Sequence, residues 1–242
     1  MRKLKNWLVD TSMLLKLSLR LQLGRWFWLV PILVLVWPGF LALSLVAGWF
    51  DASGSFAPQN AQNTLIGIPL YLLAIGLGVR VIAGEIEQRT LEVTYTVPGG
   101  AQRVWLSKLF AAMIPIIVAG ILLAVIAAAF FTEYPLVALY GSLQGAVVYL
   151  VLAMGFGALV RSEITAVLVV SVILLMNGVM TGFGEAQSRL SPFFNPLAVR
   201  EQFESEVLAW TIQNRIGFAL FIIAVYALAC VRAERREQLL RA

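Results

Sequence analysis

The chain of 242 residues contains no histidine and a single cysteine, Cys230. Without histidine, Ser/His/Asp and Cys/His catalysis are excluded, and so is a Cys/His metal cluster. One cysteine closes no internal disulfide, and Cys230 reads as a buried small hydrophobe. Charge is scarce as well: 13% of residues are Asp, Glu, Lys or Arg, against about 25% in a soluble domain. So few charges cannot cover a globular surface. Nucleotide-binding signatures are also missing, since neither G-x-x-x-x-G-K-[ST] nor a strand-borne G-x-G-x-x-G occurs. Ile75-Gly76-Leu77-Gly78 lies inside an apolar run, where small residues serve close helix packing, as do Gly155 and Gly157. No apolar run carries two carboxylates at its centre, which argues against an intramembrane hydrolase or a proton pump.

What the chain does have is long apolar runs. Hydrophobic residues make up 60% of it, and the mean hydropathy is +0.87. Six spans are expected, at 26–50, 64–83, 109–131, 136–160, 164–181 and 214–231. Each has the length that a helix needs to cross about 30 Å of hydrocarbon. The ten-residue alternation of barrel strands is absent. The expected fold class is therefore all-α, a single polytopic membrane domain over 1–242. Pro31, Pro38, Pro69 and Pro115 interrupt these spans and are expected to kink them.

Basic residues orient the spans. With the N-terminus in the cytoplasm, all 18 Lys and Arg fall inside except Arg189, Arg200 and Arg215. This positive-inside bias places both termini in the cytoplasm of a cell inner membrane. The net charge of +5 is accounted for by topology and anionic lipid, so no nucleic-acid partner is needed. Residues 1–25 form an amphipathic segment: Leu4, Trp7, Leu8, Leu14 and Leu15 lie on one side, and Arg2, Lys5, Lys16 and Arg20 on the other. Such a helix lies in the headgroup plane.

Two loops carry the polar information. In the cytoplasmic segment 84–108, Ile86, Thr90, Val93 and Val97 form an apolar stripe. Glu85, Arg89 and Glu92 form an adjoining charged face, and Glu85 stands four residues before Arg89, the favourable order for a helical ion pair. Pro98-Gly99-Gly100 stops that helix. Ala101 to Lys108 then leads into the third span as a second approach to the membrane, with Arg103 and Lys108 near the interface. In the outer segment 182–210, Pro192 and Pro196 precede Glu201, Glu204 and Glu206, which alternate with Phe203, Val207, Leu208 and Trp210. That composition suits short amphipathic helices, with Trp210 and the Phe193-Phe194 pair in an interfacial belt. Glu201 and Glu204 could instead meet a substrate. Within the spans, Gln144 and Asn177 either face a pathway or hydrogen-bond a neighbouring helix.

The order Glu85, Glu87, Thr90, Leu91, Glu92, Pro98, Arg103, Lys108 resembles the ABC-2 family of transporter permeases. Members typically read E-x-x-x-G-T-L-E, then P-V-S-R, then G-K. This chain has Arg89 where Gly is usual, Gly99-Gly100-Ala101 for Val-Ser-Arg, and Ser107 before the lysine. The six spans, the amphipathic N-terminus, "FFNPL" at Phe193 to Leu197 and the closing "RAERRE" extend the resemblance along the chain. It implies an export permease that pairs with a second permease, as a homodimer or heterodimer. Cytoplasmic ABC ATPase subunits would supply ATP hydrolysis, with ATP and Mg held by the partner and no cofactor or catalysis in this chain. Residues 84–108 would be the coupling loop, with Glu85, Glu87, Arg89, Thr90, Leu91, Glu92 and Pro98 as ATPase-coupling residues. The outer segment, including Phe193 and Phe194, would help to close the pathway. Two other readings are a permease-like subunit doing mechanical or assembly work, and a membrane scaffold outside the ABC class.

Overall fold

A computed structural model of the chain describes residues 17–19, 24, 28–48, 61–90, 95, 100–133, 136–181, 189–199 and 203–234. Every regular element among them is helical. Helix α1 is Leu29–Val46. A π-helical turn, Ala61–Gly67, runs into α2, Ile68–Glu87. Then come α3 (Gly100–Phe130), α4 (Leu136–Val160), α5 (Glu163–Thr181), a 3-10 turn at Pro196–Ala198, and α6 (Glu204–Glu234).

Five stretches are long and apolar enough to cross a membrane: Gln62–Glu87, Gly100–Phe130, Ala138–Val160, Glu163–Met180 and Ser205–Ala233. Several such helices in one chain make a multi-pass membrane protein. The remaining expected span, 26–50, corresponds to the shorter α1, whose apolar part is Val30–Val46. The expected amphipathic N-terminal helix falls largely outside the described residues.

Helix ends differ from the hydropathy boundaries. Helices α3 and α6 have 31 residues each, about 47 Å at 1.5 Å per residue, well past the hydrocarbon thickness. Hydropathy marks where the chain meets lipid, whereas the backbone ladder continues wherever nothing breaks it. Ala101 to Lys108, expected to lead into the third span, forms the opening turns of α3. Likewise Glu204 to Trp210 opens α6, and the described residues of the outer segment also include the turn Pro196–Ala198. Pro38 and Pro115 do lie inside helices. Pro31 falls in the first turn of α1 instead, where no N–H is required of it, and Pro69 stands where the π-helical turn passes into α2, inside the continuous stretch Gln62–Glu87.

The core is built around α2, which packs most extensively on α4. Small residues allow this approach. A Cβ on Gly78 would collide with the Leu150 carbonyl oxygen, and one on Gly157 would lie 3.2 Å from the Val79 carbonyl oxygen. Tyr71, Ile82, Tyr149, Leu150 and Met154 fill the space between. The outer faces of α1, α3, α5 and α6 expose Leu35, Val125, Leu175 and Leu220 among others, the apolar surface that lipid solvates. Successive long helices reverse direction, so the bundle has two polar ends. One gathers the end of α2, the starts of α3 and α5, and the end of α6. The other gathers the π-helical turn, the start of α4 and residues 189–199.

Candidate functional site

The first end is held by charge. The Lys108 ammonium donates to one oxygen of Glu85, and the Trp105 indole N–H donates to the other at 3.2 Å. All three side chains are buried, so the pair fastens α2 to α3 in a medium where charge-assisted hydrogen bonds are strong. Glu87 reaches the third partner helix: its carboxylate accepts from the backbone N–H of Glu163 at 2.7 Å. A carboxylate there also suits the positive end of the α5 dipole. Arg80 faces Glu163 at 3.8 Å. Tyr95 packs edge-on against Trp105, with ring centroids 6.3 Å apart, and its hydroxyl donates to the Ala233 carbonyl in the last turn of α6.

Helix α2 stops abruptly at this end. Arg89 has φ 55°. The Thr90 N–H returns to the Glu85 carbonyl at 3.0 Å and the Arg89 N–H to the Ile86 carbonyl at 3.2 Å. Those two bonds are a Schellman cap, whose left-handed residue is usually glycine. The expected helix through Glu85, Arg89 and Glu92 is therefore broken at Arg89, and the expected Glu85–Arg89 pair is replaced by Glu85–Lys108. Arg161 ends α4 in the same left-handed conformation, at φ 64°.

The second end is held by amides and aromatic rings. Gln62 donates to the Phe194 carbonyl at 2.9 Å and Asn63 to the Phe193 carbonyl at 3.0 Å. Asn214 on α6 donates to the carbonyls of Arg189 and Ser191, at 2.7 and 2.9 Å. Phe193 is seated between Tyr71 and Tyr149, with centroids 5.2 and 6.0 Å away, while Phe194 is fully buried. Glycine makes room for this. A Cβ on Gly141 would lie 2.5 Å from Gln62 Oε1, and one on Gly145 would lie 2.8 Å from the Tyr71 ring. The amide oxygens of Gln62, Asn63 and Asn214 and the Tyr71 hydroxyl are buried without a hydrogen-bond partner. These amides are thus only half satisfied.

The singled-out residues separate accordingly. Glu85 and Glu87 join helices to one another. Arg89 and Thr90 are exposed beside them. Leu91, Glu92 and Pro98 lie outside the described residues, as does Glu201; Glu204 is the first residue of α6. Gln144 bridges to α6, accepting from the Arg215 guanidinium at 2.6 Å and donating to the Arg215 carbonyl at 3.1 Å. Asn177 donates to the Tyr149 hydroxyl at 3.1 Å. Both in-span amides therefore bond neighbouring helices. Trp210 packs between Phe203 and the Arg189 guanidinium, not in an exposed belt. Gln62, Asn63, Tyr71, Tyr149 and Asn214 were not singled out by sequence. The Gly141-x-x-x-Gly145 spacing was the available signal for Gln62 and Tyr71, since it marks a helix face that something must approach closely. No family model matches the chain, and neither does a curated protein or a solved structure.

Proposed function

We propose that the chain is the permease subunit of an ABC-2-type exporter. In this reading it forms, with a second permease, a membrane pathway driven by separate cytoplasmic ATPase subunits. The observation that carries the reading is the buried Glu85–Lys108–Trp105 union of α2 and α3. The segment between these helices begins and ends on elements fastened to each other. A push on it is delivered to both helices as one rigid body, which is what a coupling loop requires. The charged end then faces the cytoplasm, in keeping with the positive-inside distribution. Glu85 and Glu87 act as positioning residues, and the docking surface comprises Arg89 and Thr90 with Leu91 and Glu92. The Phe193 wedge closes the outer end, and an apolar or amphipathic substrate suits a pathway so poor in charge. ATP and Mg belong to the partner.

The test begins with a tagged full chain. Under this reading it copurifies with an ATPase that carries Walker motifs; failure to recover one in mild detergent counts against the assignment. Glu92→Lys should insert normally yet lose most of the transport-stimulated ATP hydrolysis. Unchanged hydrolysis in that variant would remove the coupling role from this loop.

A further inference from the structure

A groove of about 640 Å³ runs along the bundle between α1, α2 and α5, within the range of about 300–1,000 Å³ usual for small-molecule sites. Helix α1 lends it Leu33, Trp37 and Phe40, α2 lends Leu72 and Gly76, and α5 lends Val167. The Trp37 indole N–H is already bonded to the Thr64 carbonyl at 3.0 Å, so only its apolar face is offered. Gly76 has nothing within 4 Å of where a Cβ would stand. Unlike Gly78, it packs against no helix, and its missing side chain leaves the floor open. Leu72, Val36 and Phe40 are exposed along the groove. From Leu72 to Arg80, α2 rises about 12 Å, enough to hold the upper part of an acyl chain.

The groove is apolar except at one end, where Arg80 and Glu163 stand. Their 3.8 Å separation is at the outer limit of ion pairing, and each side chain is about a quarter exposed. Glu87 adjoins them through the Glu163 backbone N–H. A single cation would select an anionic headgroup. A cation beside carboxylates complements a headgroup that carries both signs and can donate hydrogen bonds from its positive end.

We propose that this groove is a binding site for a phospholipid with a zwitterionic, primary-ammonium headgroup, phosphatidylethanolamine. One acyl chain lies along Trp37 and Gly76. The phosphate accepts from Arg80, and the ammonium donates to Glu163. Both contacts are charge-assisted hydrogen bonds. Phosphatidylcholine lacks the N–H donors. Phosphatidylglycerol carries the same phosphate but lacks the ammonium that would offset the carboxylates.

Brominated acyl chains, which quench tryptophan fluorescence on contact, provide the test. The full chain and its Trp37→Phe variant are placed in nanodiscs doped with brominated phosphatidylethanolamine, phosphatidylcholine or phosphatidylglycerol. The difference between the two proteins isolates the Trp37 signal. Phosphatidylethanolamine should quench it at about fivefold lower mole fraction than the others, the scale of one partly exposed charge-assisted hydrogen bond. Arg80→Gln should keep the quenching and lose the headgroup preference, which also shows that the variant is folded. Gly76→Phe should weaken quenching by all three lipids. Equal quenching by the three headgroups overturns the proposal in favour of unselective lipid filling, and preference for phosphatidylglycerol overturns it in favour of a simple anion site. Absence of Trp37 quenching overturns it as well, since protein, such as a second copy of the chain, would then cover the groove.

Discussion

The two polar ends of the bundle are held by different chemistry. At the charged end, side chains join helix to helix directly, through Glu85–Lys108, Trp105–Glu85 and Glu87 on the start of α5. At the amide end, neutral side chains hold the backbone of an irregular segment, residues 189–194, and leave their own oxygens unpartnered. A buried ion pair is strongly destabilising to break, because one charge is left behind. A neutral hydrogen bond contributes about 1 kcal/mol net. Bond for bond, the polar contacts of the charged end are therefore the costlier to part, while at the amide end the buried rings of Phe193 and Phe194 add to what the amides hold.

The largest test of this contrast is to orphan a charge. Glu85→Ala leaves the Lys108 ammonium buried and should cost about 3–5 kcal/mol, read as a collapse of thermal stability in detergent. The double change Glu85→Gln with Lys108→Met should recover most of that loss. If the single variant melts like the parent, the charged end is not the stronger one. Next is Gly78→Ala, which belongs to neither end. Its Cβ meets backbone of α4, which cannot swing aside, so about 1–3 kcal/mol is expected. Asn214→Ala removes two neutral bonds and should cost about 1–2 kcal/mol. Its signature is local. A cysteine placed at Ser191 should label faster while the global melting temperature moves little. Labelling that rises only in step with global unfolding would erase the distinction between the ends. The smallest effect is Arg89→Gly, which relieves a left-handed non-glycine residue. The gain is partly offset by the freer unfolded chain, so stabilisation of a few tenths of a kcal/mol is expected in thermal melts.

The positions of five apolar helices were legible because about 20 apolar residues in a row have few other uses. Span 136–160 coincides with α4, and 164–181 differs from α5 by one residue. The starts of α3 and α6 were not legible. Ala101 to Lys108 and the short amphipathic helix expected around Glu204 to Trp210 lie outside the apolar runs, yet nothing interrupts the ladder between them and those runs. The Glu85–Arg89 pair failed for a related reason. Spacing of four matters only if the helix continues, and the left-handed turn at Arg89 ends it. The residue that does pair with Glu85 is 23 positions away, a separation that periodicity cannot see. At the other end Gln62 and Asn63 precede the apolar run, and Asn214 stands at the opening of another. Their role depends on carbonyls of a segment more than a hundred residues from the first two. Gln144 and Asn177 were conspicuous as amides in apolar runs, but only the fold supplied their partners.

The bond from Tyr95 to Ala233 has a mechanical consequence. It joins positions 138 residues apart in sequence, and so makes a shortcut across the covalent order of the bundle. A displacement of the α2–α3 linker divides there. One share passes through Glu85 and Lys108 into the two adjoining helices. The other enters the last turn of α6 without traversing α4 or α5. Because α6 also carries Asn214, in its first half, this branch reaches the clasp on residues 189–191 along a single helix. Two distant surfaces thus share one lever, about 20 residues long between Asn214 and Ala233, or roughly 29 Å.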